Sequence, residues 1–350
     1  MKKIISILLL TALHLYATPQ FAREYNVQCS ACHSAVPVLN ETGRDFLRNG
    51  LRFSFDEKTT LQKLTEDRNT TYIPAAILLG VKYNSIRSDV KVAVKPFIAG
   101  TLTKEDSLFL TVGKNKNIYY QKNLHQQNHV IRAGFLSVYT QLSSINKIFS
   151  GTGTSCNNDD CTNIFKTPLQ KASIQSLKGV EYSYKRADSL LLLSLGRTQD
   201  NTNRKTCVDK YDLDYANRTQ IAASLKHSFN GYNLGIVYGK LQNSELTDYS
   251  IVSFLDKDFE RFSAHIAYIY KKDKDFDYHG AEGMVSYKYD DTAFIKTTCS
   301  YDDDNLYNNS SATIGFEKFF NHILFSSYIG YRYNQDIEDT TFQATLSLYF

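Results

Sequence analysis

The sequence predicts an all-β fold: a transmembrane outer-membrane β-barrel of about 16 antiparallel strands, preceded by a short α-helical N-terminal segment. Three observations carry that expectation. The chain opens like an export leader, it alternates apolar and polar residues with a period of two from Tyr72 onward, and its last stretch ends on Phe350 with one apolar side.

Lys2 and Lys3 precede an apolar run from Ile4 to Leu10, and small residues reach a cleavage position near Ala17, the layout of a secretory signal peptide. The run is too short for a spanning helix, which needs about 20 apolar residues. No later segment approaches that length, and the mean hydropathy is −0.36, so helical spans are excluded. Residues 1–17 are expected as leader, 18–60 as a separate segment and 61–350 as the barrel, in the outer membrane of a Gram-negative cell and in contact with its lipid. The formal charge of +4 includes the two leader lysines, and without a dense basic stripe no nucleic-acid partner is expected. Tyr and Phe are abundant and Met is represented by only 2 residues, which suits an exported β-structure.

Beyond Tyr72, alternating stretches are separated by Asn, Asp, Gly and Lys clusters, as strands and hairpin turns require. Strands are read near Tyr72 to Asn84, Asp89 to Leu102, Ser107 to Tyr120, His129 to Gln141, Lys178 to Arg186, Ser189 to Arg197, Arg218 to Phe229, Tyr232 to Gln242, Tyr249 to Lys257, Arg261 to Lys271, Asp277 to Tyr289, Thr292 to Tyr301, Ala312 to Phe320, Leu324 to Tyr333 and Thr341 to Phe350. Bacterial barrels close with an even number, so about 16 strands are expected, with about 14 as the fallback. The missing one is sought near Ile118 or between Ser143 and Leu177. In the last strand Phe342, Ala344, Leu346, Leu348 and Phe350 share the lipid side.

Cys29-Ser30-Ala31-Cys32-His33 is the c-type haem attachment pattern. Two thiols three positions apart on one turn can each add to a haem vinyl group, and His33 then stands beneath the iron as proximal axial ligand. Zinc would need further N or S ligands nearby, and between Ser34 and Tyr72 there is no Cys or His. A redox dithiol would need a surrounding βαβ pattern, which is absent. One covalent haem c is therefore expected on residues 18–60. Val36 to Gly50 reads as a short helix, with Asn40 as N-cap, Leu39, Phe46 and Leu47 as its apolar face, and Gly50 as its stop. A segment this small cannot shelter a porphyrin alone, so it must lean on the barrel.

A sixth iron ligand, if there is one, comes from the barrel. With Phe262, Ala264, Ile266, Tyr268 and Tyr270 on the lipid side, His265 faces the lumen. In the next strand Ala281, Gly283, Val285, Tyr287 and Tyr289 face lipid, which turns Glu282, Met284, Ser286 and Lys288 inward. His265 and Met284 are the foremost distal candidates, with His125 and His129 behind them. His227, beside the Asn230-Gly231 turn, is expected at the membrane interface. Cys156 and Cys161 suggest a loop disulfide rather than a metal site, and Cys207 and Cys299 either pair or stay reduced. Asp159-Asp160, Asp290-Asp291 and Asp302-Asp303-Asp304 read as solvated turns, with a rim cation site as the alternative.

Pro19, Phe21, Ala22 and Arg23 before the haem motif, and Pro37, Leu39, Gly43, Arg44, Phe46 and Gly50 after it, resemble the outer-membrane cytochrome-porin fusion family, which includes the iron-oxidising monohaem c-type cytochromes. The likeness is close over Pro19 to Gly50 and departs from the family pattern at Glu24-Tyr25-Asn26 and Thr42. It implies a haem segment plugged into a porin-like barrel, with electrons taken from an extracellular donor such as Fe(II) and passed to a periplasmic carrier such as a soluble cytochrome. Two other functions are open to such a chain: a haem-plugged porin or haem sensor that gates transport, and a haem peroxidase with an open distal side. No Gly-rich phosphate loop or hydrolytic nucleophile motif is present.

Overall fold

A computed structural model of the chain describes residues 20–35, 38–54, 57–66, 75–84, 89–111, 117–124, 128–136, 177–198, 218–242, 247–272, 277–303, 308–320, 323–334 and 337–349. Its N-terminal part holds helix α1 (Gln20–Tyr25), a 3-10 turn (Cys29–Ala31), strands β1 (His33–Ala35) and β2 (Val38–Leu39), helix α2 (Glu41–Arg48) and helix α3 (Thr60–Glu66). The 16 strands that follow, β3 (Ala75–Asn84) to β18 (Ile337–Tyr349), close into one antiparallel barrel. Closure is made by β18 against β3, with Ala344 opposite Tyr83 and Leu346 opposite Val81. The boundary expected at 60/61 falls at the start of α3, which belongs with the N-terminal part.

The strand read as Ser107 to Tyr120 is two strands, β5 (Asp106–Thr111) and β6 (Asn117–Leu124), paired with Leu110 opposite Ile118. β6 is the strand sought near Ile118, and the residues between the two strands lie outside the described residues. β7 (His129–Leu136) lies within the stretch read to Gln141, whose residues 137–141 lie outside the described residues. The segment from Ser143, Cys156, Cys161, Cys207, His125 and Phe350 all lie outside the described residues.

The alternation predicted for the wall is present. On β13 (Phe262–Lys272), Ser263, His265, Ala267 and Ile269 are buried inward while Phe262, Ile266 and Tyr268 are exposed on the outside. β9 (Ser189–Thr198) repeats the pattern, with Leu190 and Leu192 inside and Leu191, Leu193 and Leu195 outside. An exterior row of Leu, Ile and Val is the surface a hydrocarbon phase requires, since a closed barrel leaves no unpaired sheet edge in lipid. Aromatic rings mark both margins of this belt: Phe229, Tyr232, Phe259, Phe262, Tyr289 and Phe320 at one end, Tyr238, Tyr249, Tyr301 and Tyr333 at the other. Among the described residues no helix is long and apolar enough to cross a membrane.

The two ends of the barrel differ. One carries tight turns, including Ala187-Asp188, Asn230-Gly231 and Asp291-Thr292; the other carries the connections 137–176 and 199–218. Short turns face the periplasm and long loops the exterior in such barrels, so the tight-turn end is the periplasmic mouth.

The lumen is mixed in character. From β6 to β14 (Asp277–Asp290) its inner wall carries a buried apolar cluster that includes Leu177, Leu192, Val237, Val252, Phe254 and Ile269, interleaved with buried Gln121, Arg132, Glu181, Gln220, Asp248 and Glu282. On β15 (Ala293–Asp303), β16 (Asn308–Phe320) and β17 (Ile323–Asn334) the inward residues include Lys296, Thr298, Ser300, Ser311, Glu317 and Ser326 together with Phe294, Phe319 and Leu324.

Ile266 stands mid-strand on the lipid side, 57% exposed. Ile266→Arg should lower folding stability in lipid vesicles by about 2–4 kcal/mol, measured by reversible denaturant titration. A smaller loss would mean that this face does not meet hydrocarbon.

Candidate functional site

The N-terminal segment is built around Asn40. Its side chain accepts from Gly43 N at 2.9 Å as N-cap of α2, and its amide donates to the carbonyls of Ser30 and Ala31, each at 3.2 Å. Its backbone N–H donates to Cys32 O at 3.0 Å. One residue thus starts the helix and clamps the haem-motif turn to it. Gly43 completes the clamp, because an added Cβ would run into the carbonyl oxygen of Cys32. At the far end Gly50 (φ 74) and Leu51 close α2 in a Schellman motif, with Gly50 N donating to Leu47 O and Leu51 N to Phe46 O. Phe46, Leu51 and Ala99 form a small core with Phe21 and Tyr25 packed on it, the rings of Phe21 and Tyr25 meeting Phe46 edge to face.

The turn expected to carry two thiols on one side is the 3-10 turn Cys29–Ala31, with Cys32 directly after it and His33 opening β1. Cys32 is a free, half-buried thiol whose pKa is pushed up by burial. A raised pKa disfavours the thiolate that a dithiol oxidoreductase needs. Among the described residues no group of three or more His, Cys, Asp and Glu is placed to hold a metal ion. A spaced thiol turn, an adjacent imidazole and a helix that fixes the turn fit a covalently attached porphyrin.

The segment is docked across the periplasmic mouth. Lys226 of β10 (Thr219–Phe229) donates to both carboxylate oxygens of Glu41 at 2.7 and 3.0 Å, and Lys185 of β8 (Leu177–Arg186) pairs with Asp45 at 2.6 Å. Arg48 donates to Ser183 Oγ at 2.7 Å and Asn128 O at 2.9 Å. The last carbonyl of α2, which the helix cannot satisfy internally, is taken by the wall: Gln121 and Asn123 donate to Arg48 O at 2.7 and 3.1 Å. Across the mouth Ser30 Oγ donates to Asp291 at 3.2 Å, and Ser286 Oγ of β14 donates to Ser34 O at 3.1 Å. The Asp290-Asp291 pair therefore acts as a turn and docking acid, with Lys288, Lys318 and Thr292 as its other partners.

The distal candidates separate. His265 is 0% exposed and Met284 2%, and they are direct cross-strand partners on the lumen side. Asp256 Oδ1, on the neighbouring β12 (Thr247–Asp258), lies 3.2 Å from His265 Nδ1. His129 is not brought to the lumen: it is half-buried beside Tyr182, its Nδ1 2.7 Å from the hydroxyl, with its ring stacked on Tyr184, on the side opposite buried Val130. Alternation along β7 puts it outside because Val130 and Arg132 face in. His227 is exposed beside the Asn230-Gly231 turn, its Nδ1 2.9 Å from Ser189 Oγ, as expected. Cys299 is a free thiol on the outer face.

Sequence reasoning missed the docking residues. Glu41 and Lys226 stand 185 positions apart, and only the wall parity of β10, which turns Lys226 inward between Ser224 and Ser228, could have flagged the lysine.

Burial by itself would raise the carboxyl of Glu41, but Lys226 and Arg44 outweigh it and hold the group lowered to about 2. A depressed carboxylate strengthens docking above its ordinary value of 4.5 and loses that hold as pH falls toward about 2. Pepsin cleavage within 20–66 should accordingly rise, relative to cleavage of an unfolded control, between pH ~4.5 and ~2. Glu41→Gln should start from the higher level and show no such rise; an unchanged profile would remove Glu41 from the dock.

No family model matches the sequence, and no curated protein matches it. Solved structures do share the fold. OprB of Pseudomonas putida aligns with a TM-score of 0.54 at 9% identity, over 79% of this chain and 93% of its own. The anion-selective porin from Comamonas acidovorans gives 0.52 at 11%, over 79% and 98%. OmpT of Vibrio cholerae gives 0.52 at 10%, over 79% and 97%. At such identities the likeness concerns the fold, and the fold is that of a porin-like outer-membrane β-barrel.

Proposed function

We propose that this chain is an outer-membrane monohaem c-type cytochrome of the cytochrome-porin fusion type. It moves electrons between an extracellular donor, with Fe(II) the most concrete candidate, and a periplasmic carrier such as a soluble cytochrome. The observation that carries the reading is the Cys29-to-His33 turn, locked by Asn40 and Gly43 and docked in the periplasmic mouth of the barrel. When bound, haem c supplies reversible one-electron exchange between ferrous and ferric iron. Cys29 and Cys32 would hold it by thioethers and His33 would ligate the iron. The ion pairs of Glu41 with Lys226 and of Asp45 with Lys185 hold the segment in the mouth, where a cofactor on Cys29 and Cys32 would be within reach of a carrier at the periplasmic rim.

The apolar cluster in the inner wall from β6 to β14 supports this over a plain solute pore. A water-filled channel is lined by polar residues, whereas here buried Leu192, Val237, Phe254 and Ile269 stand among buried polar residues such as Gln121, Glu181 and Asp248. A second reading, a haem-plugged porin in which the segment gates transport, is favoured by the porin-like fold and by the breakable ion pairs at the mouth. Bilayer conductance separates the two. A gate gives large channels once residues 20–66 are deleted, while a conduit stays poorly conducting.

Cys29→Ala or Cys32→Ala should abolish haem staining while the barrel still inserts and keeps its heat-modifiable gel mobility. Purified ferric wild type should be reduced by Fe²⁺ in stopped flow. Retained staining in both variants would refute the attachment, and a haem that Fe²⁺ leaves oxidised would refute the donor.

A further inference from the structure

The lumen-facing rungs of β12, β13 and β14 change character in order of depth. At the rung nearest the plug, Ser263 lies opposite Ser286, the residue that donates to Ser34 O of β1. The next rung inward, about 7 Å further along the strands, holds Asp256, His265 and Met284 side by side. The rung after that sets Phe254 and Ala267 beside the buried carboxylate of Glu282, and the next is apolar, with Val252 opposite Ile269. His265 therefore stands between the segment bearing His33 and the deeper lumen.

Its chemistry is unusual for that position. The imidazole is 0% exposed, and neither of its ring nitrogens has a hydrogen-bond partner. An unsatisfied buried ring nitrogen is costly to a fold. Asp256, itself fully buried, sits 3.2 Å from Nδ1, within ion-pair reach though without a hydrogen bond. The negative charge on that side draws the ring proton toward Nδ1 and leaves the Nε2 lone pair for a metal, and carboxylates orient metal-binding histidines from the same side elsewhere. Met284, opposite on the next strand, offers a softer sulfur without such an orienting partner.

We infer that His265 is the distal axial ligand of the haem iron, with Asp256 as its positioning residue, so that the iron is bis-histidine coordinated between His33 and His265. This rests on the haem reading above. One dative bond forms, from Nε2 to iron, and no electron is transferred in forming it. Six-coordinate iron leaves no open site for peroxide, which sets the electron-carrier role apart from a peroxidase.

The test is spectroscopic and uses the full-length protein extracted in detergent. Wild type should be low-spin in both oxidation states and lack the near-infrared sulfur-to-iron charge-transfer band. His265→Ala should keep its haem stain and its heat-modifiable mobility, turn high-spin, and regain a low-spin spectrum with added imidazole. His265→Met should restore low spin and introduce the sulfur band, which keeps the test open if the alanine variant folds poorly. Asp256→Asn should stay low-spin with a shifted midpoint potential. A low-spin spectrum unchanged in His265→Ala overturns the assignment while leaving the attachment intact, and loss of the sulfur band in Met284→Ala would assign Met284 instead. Wild type without haem stain would sink the underlying reading rather than this ligand.

Discussion

A strand crossing lipid must give each backbone N–H and C=O to a neighbour, and in this chain the last exchange is the pairing of β18 with β3. Everything else follows from that closure. Once the sheet is a cylinder, each strand has one side in lipid and one in a confined lumen, and a residue's parity decides its solvent. Inward side chains from distant strands converge on a space of fixed width, which is why Lys185, Lys226 and Ser286 can hold one short helical segment between them.

The way the segment is held is informative. Its own core is small, a few rings around Phe46, and such a core does not stabilise a free domain. Apart from the contact of Phe46 and Leu51 with wall residues Ala99 and Phe109, its hold on the barrel is polar: carboxylates of α2 to wall lysines, the end of α2 to wall amides, and hydroxyls at the Cys29-to-His33 turn. Polar docking of this kind fixes orientation more than it contributes net stability, because desolvation offsets much of the attraction. The dock therefore sets the angle at which the Cys29-to-His33 turn meets the wall.

Parity along a regular strand was fully legible in the sequence, and so were Asn40 as helix cap and Gly50 as helix stop, because each depends on residues within one turn or one strand. The division of Ser107 to Tyr120 was obscured, since Val112 and Ile118 carry the apolar signal past Gly113 and Asn115, weak breaks in the sequence. His265 could be placed on the lumen side from its neighbours, but its approach to Asp256 could not, because that contact is set by the register between β12 and β13. The docking partners were further out of reach: Arg48 meets Ser183 across 135 positions, and no local pattern marks a serine as a contact.

The lining of the lumen obeys the same parity. Inward positions from β6 to β14 carry the apolar cluster of Leu177, Leu192, Val237 and Ile269, and among them stand buried charges that have their counter-charges nearby, Arg218 with Asp248 and, on β15 and β16, Lys296 with Glu317. The Cys29-to-His33 turn meets this wall at Ser286 of β14 and at Asp291 in the β14–β15 turn. A charge withdrawn from water is tolerated only beside an opposite one, so each buried basic residue fixes a partner on a nearby strand. The polar dock of the N-terminal segment is the same rule applied across the mouth, with Glu41 and Asp45 answering wall lysines.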